Sequence, residues 1–190
     1  HVAFLDVGQG DAILITTPAG QQVLLDGGPS PAALTTALGR EMPFWDRSID
    51  LLIMSHPDAD HITGLVTVLE RYRVAGWADS GYDDEDEIYA RCLELLQERG
   101  VPRYQVRAGD RFDLGQAIVM EILHPPPELM TGSDSDSNNN SVVTRLVWRE
   151  ASFLLTGDLE AEGERLLLRA GLPLEADILK VAHHGSGGSS

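Results

Sequence analysis

The sequence predicts an α/β protein in which helices cover layered β-sheets. Short β-rich segments alternate with segments of helical periodicity along the chain. A length of 190 residues with 43% hydrophobic and 23% charged residues suits one sizeable core. We therefore expect residues 1–190 to form a single domain. Because the chain starts within a strand-like segment and ends abruptly at residues 187–190, we also expect it to be a fragment of a larger protein.

Closely spaced strands open the chain, and turns that contain Gly or Pro separate them. A helix with Ser30 as its candidate N-cap follows, and then a buried strand, a second helix and a short strand. The clearest helix ends at Gly100 and Pro102. The predicted strands are 3–7, 12–17, 22–25, 50–55 and 74–77, and the predicted helices are 31–40, 62–72 and 85–99.

The second half of the chain continues the alternation. Its predicted strands are 117–123, 141–148, 151–156 and 177–182, and its predicted helix is 161–170. Between the first two of these strands lies the low-complexity segment TGSDSDSNNN, residues 131–140. Composition predicts a flexible surface loop here, although its position just before a strand leaves a functional role open.

The segment HPDADH, residues 56–61, is the strongest functional signal. It follows a buried strand and brings His56, Asp58, Asp60 and His61 to one sheet edge. Two carboxylates beside two imidazoles are not a packing solution, because charged Asp is rarely buried without a partner. One or two divalent cations would remove the conflict.

Three more apolar strands end in candidate ligands. They lead to Asp26, to Asp158 and to the pair His183 and His184. A lone Asp after Gly is common in turns and would be weak evidence. Four strand ends of this kind in one chain are much harder to explain by structure alone.

These motifs together resemble those of the metallo-β-lactamase superfamily and, more narrowly, of the soluble domain of ComEC-type DNA internalisation competence proteins. The resemblance spans nearly the whole chain in the family's order. It is carried by FLDVGQGDA at 4–12, LDGG at 25–28, SHPDADH at 55–61, NNNS at 138–141, LTGD at 155–158 and LKVAHHGS at 179–186. It implies an αββα sandwich that lacks the family's last strands.

The resemblance also implies a dinuclear centre with two Mn²⁺ or Zn²⁺ ions. His56 and Asp58 would bind one ion, Asp60 and His61 would serve the other, and Asp158 would bridge both. His184 would complete the second site, which makes Asp60, Asp158 and His184 the implied catalytic residues. Asp26 and His183 would support the ligands from behind.

Two departures from the family pattern matter for the metal. Asp58 stands where many members have His, and its oxygen favours Mn²⁺ over Zn²⁺. The His that commonly precedes the strand before Gly157 is absent, and NNNS stands there instead. His124 is a substitute candidate, and a structural role at the end of its strand is at least as good an interpretation.

The implied activity is metal-dependent phosphodiester hydrolysis of DNA during uptake in natural transformation. DNA, single-stranded or in the form of the degraded strand, would be the substrate. The domain would lie on the extracytoplasmic side of a bacterial membrane beside the channel portion of its parent protein, with no lipid contact of its own. The residues themselves support only a hydrolase.

Two alternatives remain open at this stage. The formal net charge of −16 argues against a broad electrostatic grip on nucleic acid, and so favours a small-molecule phosphodiesterase, esterase or lactonase. An incomplete first metal site would instead leave a non-catalytic DNA-handling module. The single Cys92 excludes an internal disulfide, and its helical spacing predicts a packed thiol.

Overall fold

The computed structural model describes residues 1–189 and divides the chain into two compact units. The first unit holds residues 1–79 and 83–104, and the second holds residues 80–82 and 105 onward. Sheets and helices occur in both, which confirms the predicted α/β class. None of the described helices is both long and apolar enough to cross a lipid bilayer.

A six-stranded sheet organises the first unit. The strands of this unit are β1 (Val2–Phe4), β2 (Ile13–Thr16), β3 (Gln22–Leu25), β4 (Ser48–Ile49), β5 (Leu51–Ile53), β6 (Arg73–Val74), β7 (Trp77–Asp79) and β8 (Arg103–Gln105). Their order in the sheet is β1-β2-β3-β5-β7-β8. The first three strands pair antiparallel, whereas β3, β5 and β7 are parallel neighbours. A separate parallel pair is formed by β4 and β6.

Three helices belong to the first unit: α1 (Pro31–Glu41), α2 (Ala59–Arg71) and α3 (Glu87–Arg99). The hydroxyl of Ser30 accepts from the N–H of Ala33, so the predicted cap is confirmed. Gly100 ends α3 in the left-handed conformation. The core includes Cys92, whose burial raises its pKa to about 12, as expected for a packed thiol.

The boundaries of several first-unit elements differ from the prediction. Helix α2 begins at Ala59 instead of residue 62, so Asp60 and His61 lie in its first turn. The predicted strand 74–77 is in fact the two short strands β6 and β7. No apolar pattern indicated β4 or β8, which are two and three residues long.

The second unit is built on a five-stranded sheet. Its elements are β9 (Arg111–Asp113), β10 (Ile118–His124), α4 (Asp136–Asn139), β11 (Val143–Trp148), β12 (Ala151–Leu155), α5 (Ala161–Arg169), β13 (Ile178–Lys180) and a 3₁₀ turn (Ala182–Gly185). The strand order is β13-β12-β11-β10-β9, and all pairs are antiparallel except the parallel pair of β12 and β13. The core of this unit includes Leu123, Val143, Leu159 and Leu167.

Candidate metal centre

In the first unit, the register of two parallel strands brings Asp26 to Ser55. Leu25 at the end of β3 pairs with Ile53 at the end of β5, so the residues that follow both strands meet at one edge. Ser55 then donates twice to Asp26, from its N–H at 2.7 Å and from its hydroxyl at 2.6 Å. Both residues are buried.

This pair fixes the orientation of two buried imidazoles. The Nδ1 atom of His61 lies 2.8 Å from Asp26 Oδ2 and donates to it. The Nδ1 atom of His56 lies 2.9 Å from the Ser55 hydroxyl, whose own proton goes to Asp26. Each Nδ1 is therefore the protonated nitrogen, and each Nε2 has a lone pair that can bind a metal. The two ring centroids are 4.2 Å apart.

Close backbone approach holds the first turn of α2 against the loop after β3. Gly27 donates to the carbonyl of His61 at 2.7 Å, and Gly64 donates to Gly28 at 3.0 Å. A Cβ at Gly64 would lie 2.0 Å from the carbonyl oxygen of Gly27. Only glycine at position 64 allows the helix to lie this close, so the position of His61 depends on it.

The loop between β1 and β2 brings Asp11 to the same place. A Cβ at Gly10 would lie 1.9 Å from the carbonyl oxygen of Asp60, so this loop also rests on the start of α2. Asp11 Oδ2 lies 4.0 Å from His61 Nδ1. In the sequence, Asp11 is part of the FLDVGQGDA segment at 4–12, and that segment was the available signal for it.

The carboxylates of the HPDADH segment lie around the N-terminus of α2. Asp58 is the N-cap residue, yet its side chain makes no capping hydrogen bond, and its Oδ2 lies 3.7 Å from His56 Nε2. Asp60 is in the first turn of the helix. The positive end of the helix dipole favours negative charge at both positions.

In the second unit, Asp158 is the centre of a cluster of one ammonium group and two imidazoles. It follows β12 and is buried. Its Oδ2 lies 3.3 Å from His184 Nε2 and 3.9 Å from His183 Nε2, and its Oδ1 lies 3.3 Å from Lys180 Nζ. Lys180 also donates to the carbonyl of Gly157 at 2.7 Å, so it holds the turn that presents Asp158.

His183 has a second carboxylate neighbour that the sequence did not indicate. Its Nδ1 lies 3.3 Å from Glu160 Oε1, and Glu160 in turn accepts from Asn138 Nδ2 at 3.0 Å. The Asn-rich segment therefore reaches the candidate site through Glu160. An acidic residue five positions after the end of β12 was the only signal in the sequence.

Three candidate-site residues have left-handed backbone conformations. The φ angles are 56° at Asp26, 47° at His183 and 52° at His184. Such conformations are uncommon for residues other than glycine and tend to occur at functional sites.

The prediction of a flexible loop over residues 131–140 is wrong for its second half. Asp136 to Asn139 form α4, and Asn139 and Asn140 are completely buried. Asn140 accepts from the N–H of Met130 and donates to the carbonyls of Met130 and Asp136. Composition suggested disorder, but amide side chains that hydrogen-bond the backbone hold the segment in place.

His124 is not part of either ligand cluster among the described residues. It is 2% exposed, and its Nδ1 lies 2.9 Å from the carbonyl oxygen of Ser141. Burial lowers its pKa to about 4, so the ring is neutral at pH 7 and donates to Ser141. This geometry favours the structural interpretation of His124.

Both units carry residues that could hold a divalent metal. Asp11 and His61 in the first unit, and Asp158 and His184 in the second, offer suitable ligand atoms, and within each pair these atoms lie within 4.8 Å of one another. Imidazole nitrogens with fixed tautomers and carboxylate oxygens suit Zn²⁺ or Mn²⁺. His56 and Asp58 also contact each other in the first unit, and Asp60 lies in the first turn of α2 beside His61.

Comparison with known proteins gives one family. The model of the metallo-β-lactamase superfamily matches residues 5–189. The whole chain aligns at 31% identity with ComE operon protein 3 of Bacillus subtilis and at 30% with competence protein ComA of Neisseria gonorrhoeae, which are ComEC-type competence proteins. It covers 26% and 24% of these relatives, so it spans about a quarter of their length.

A solved structure gives the same fold. A B3 metallo-β-lactamase with an active-site glutamic acid superposes with a TM-score of 0.62 at 15% identity, over 99% of this chain and 76% of that chain. At this identity the likeness concerns the fold alone.

Proposed function

The chain belongs to the metallo-β-lactamase superfamily, and from this membership we propose that it is a metal-dependent phosphodiesterase that acts on DNA. The observation that carries the proposal is the 2.8 Å contact between Asp26 and His61, together with the Ser55 contact to His56. A buried imidazole that is only a packing element has no need of a carboxylate fixing its tautomer. Such a carboxylate is the usual support of a metal-ligating His.

We assign the ligands as the family pattern implies. His56 and Asp58 would hold one ion, Asp60 and His61 would serve a second, and Asp158 and His184 would complete the set of ligands. Asp11 is a further ligand candidate because it lies beside His61. The oxygen of Asp58 supports Mn²⁺ over Zn²⁺ at the first position.

Bound divalent ions would supply Lewis-acid polarisation of a phosphoryl oxygen and would lower the pKa of an attacking water. The chain's own residues position the reacting groups. Asp60 orients the water, and Asp26 and Ser55 hold the two imidazoles in register. Lys180 keeps Asp158 in place through its contacts with that carboxylate and with Gly157.

The choice of DNA rests on the names of the relatives. Two are competence proteins and a third, from Haemophilus influenzae at 32% identity, is named recombination protein 2. We propose that the chain acts in DNA uptake, as the part of a longer membrane protein that lies on the extracytoplasmic side next to its channel portion. The strong negative charge supports a small-molecule substrate as the second candidate.

The test combines metal binding with two substrates. Calorimetry with Mn²⁺ and Zn²⁺ should give two ions per chain. Hydrolysis of single-stranded DNA and of a chromogenic phosphodiester should require the metal. Asp158→Ala should abolish both activities and weaken metal binding, whereas Asp134→Ala, which removes an exposed carboxylate of the same unit, should change neither.

Each outcome separates the candidates. Hydrolysis of the chromogenic substrate without hydrolysis of DNA would favour a small-molecule enzyme. Metal binding without hydrolysis of either substrate would favour a DNA-handling module. Activity that persists in the Asp158→Ala protein would refute the assignment of the site.

A further inference from the structure

A hydrogen-bonded turn in the first unit exposes two aromatic rings. The N–H of Asp46 donates to the carbonyl of Pro43 at 2.9 Å, which places Phe44 and Trp45 at the tip of the turn after α1. Phe44 is 85% exposed and Trp45 is 74% exposed. Their ring centroids are 4.8 Å apart in an edge-to-face arrangement. Exposure of two large apolar side chains together is unusual for a surface that only meets water.

Side-chain hydrogen bonds to Asp46 hold the turn and so preorganise the backbone that carries the two rings. Asp46 accepts from the N–H and the hydroxyl of Ser48 at 3.0 and 2.6 Å, and from the side chain of Gln22 at 2.7 Å. These hydrogen bonds lower the pKa of Asp46. A preorganised surface loses little conformational entropy when a ligand binds.

Arginines continue the surface away from the rings. Phe44 shares one depression with Arg47, Arg71 and Tyr72, and a second depression shares Arg71 and Tyr72 with the first and adds two more arginines. We call this the arginine–aromatic surface. It comprises Phe44, Trp45, Arg47, Arg71, Arg73 and Arg99, all of them exposed.

The arginines of this surface outnumber the carboxylates near it. Asp46 is the only acidic residue among those lining the two depressions; its oxygens accept hydrogen bonds from Ser48 and Gln22, and its charge is also attracted by Arg73. Glu70 and Glu98 pair with Arg91, and Glu41 pairs with His1. The surface therefore concentrates positive charge in a chain whose formal net charge is −16.

A role at helix ends explains only part of this arrangement. Arg71 and Arg99 lie in the last turns of α2 and α3, where cations complement the helix dipole. That role requires neither Arg47 and Arg73 nor a pair of exposed rings. Guanidinium groups beside exposed aromatic faces are the combination that single-stranded nucleic acids bind, through phosphate contacts and base stacking.

We propose that the arginine–aromatic surface binds single-stranded DNA, an inference that rests on the proposed action on DNA. Helix α2 leads from His61 to Arg71, ten residues along, so the surface lies about 15 Å along this helix from the candidate ligands. Stacking and phosphate contacts make no base-specific hydrogen bonds, so binding is tolerant of sequence. The arginines of this surface supply local positive charge for DNA binding, although the net charge of the whole chain is negative. A lipid surface is the weaker candidate, because two exposed rings offer little of the apolar face that a membrane contact buries.

The test measures binding without hydrolysis. Fluorescence anisotropy with a labelled oligothymidine is recorded on the full chain in EDTA, so that failure of the hydrolase assignment does not affect the result. Phe44→Ala/Trp45→Ala should weaken binding about 10-fold or more, since stacking on an aromatic side chain contributes about 1–3 kcal/mol per base. Arg47→Glu/Arg73→Glu should weaken binding and reduce the slope of log K against log salt.

Two controls accompany these variants. Trp148→Ala and Arg165→Glu change an aromatic residue and an arginine of the second unit and should leave DNA binding unchanged. The Phe44→Ala/Trp45→Ala protein should unfold at the wild-type temperature and hydrolyse the chromogenic phosphodiester at the wild-type rate. Wild-type affinity in both double variants, or no binding by the wild-type chain, would overturn the proposal. So would variants that lose binding to phosphatidylglycerol vesicles but not to DNA.

Discussion

At the scale of single residues, hydrogen bonds to the backbone and between side chains decide which ring can do chemistry. The imidazole of His61 donates to a carboxylate and keeps Nε2 for a metal. The imidazole of His124 donates to a carbonyl inside the second-unit core and stays neutral because burial lowers its pKa. The same side chain is therefore a candidate ligand in one place and a structural element in the other.

The low pKa of His124 should make the stability of the protein depend on pH. The ring has a pKa of about 4 in the folded protein and about 6.5 when unfolded. Between these values the unfolded chain binds a proton that the folded chain does not, so the free energy of unfolding falls as pH drops through this range, by up to about 3 kcal/mol. Urea unfolding of wild-type and His124→Gln proteins from pH 7 to pH 4 measures it. The variant should lose less stability over this range, and parallel curves for the two proteins would contradict the assignment.

Residue identity predicted the candidate ligands but only some of their supports. The His and Asp residues at strand ends were visible because their type and spacing are chemically unusual. Ser55 was not, because a hydroxyl becomes part of a network only when a parallel register brings it to Asp26. Glu160 was missed for the same reason, since its contact with His183 depends on a turn and a 3₁₀ segment that local sequence does not specify.

At the scale of elements, the clearest interaction is the contact between α2 and the loop after β3. The helix begins at Ala59, three residues earlier than its apolar periodicity indicated, because Asp58 takes the N-cap position. Apolar patterning locates the buried face of a helix but not its first turn, which here carries Asp60 and His61. Short strands such as β4 and β9 escaped prediction because two or three residues are too few for an alternating pattern.

The contact between α2 and the loop predicts a sharp difference between two glycines. Gly64→Ala would place a Cβ 2.0 Å from the carbonyl oxygen of Gly27, and the resulting shift should destabilise the protein by about 1–3 kcal/mol. Gly39→Ala in α1 meets nothing within 4 Å and should be neutral or stabilising by up to about 1 kcal/mol. Denaturant unfolding of both variants tests this. Equal effects of the two substitutions would show that the close approach does not constrain the helix.

At the scale of the whole molecule, charge is the dominant property. The chain has 30 acidic and 14 basic side chains, and many of its carboxylates lie on the surface or at the candidate metal site. Composition alone predicted this charge and the low content of basic residues. It could not predict that Arg47 and Arg71, from separate parts of the chain, line one depression with Phe44, because that depends on the fold.

Self-repulsion of this charge should make the metal-free protein sensitive to salt. Raising NaCl from about 0.01 M to about 0.15 M shortens the screening length from about 30 Å to about 8 Å, so the unfolding temperature in EDTA should rise at pH 7. Near pH 4.5, the isoelectric point expected from composition, the same salt change should have little effect. Thermal scans by circular dichroism give the comparison. A fall in unfolding temperature with salt at pH 7 would mean that favourable ion pairs outweigh the repulsion.

The burial of Cys92 has a practical consequence. The only thiol in the chain is buried in the first-unit core, and burial raises its pKa. Maleimide reagents in neutral buffer should therefore not react with it. A cysteine introduced at an exposed position can then carry a fluorophore or spin label without any change to the native thiol. Distances between labels on the two units can be measured in solution on an otherwise unaltered chain.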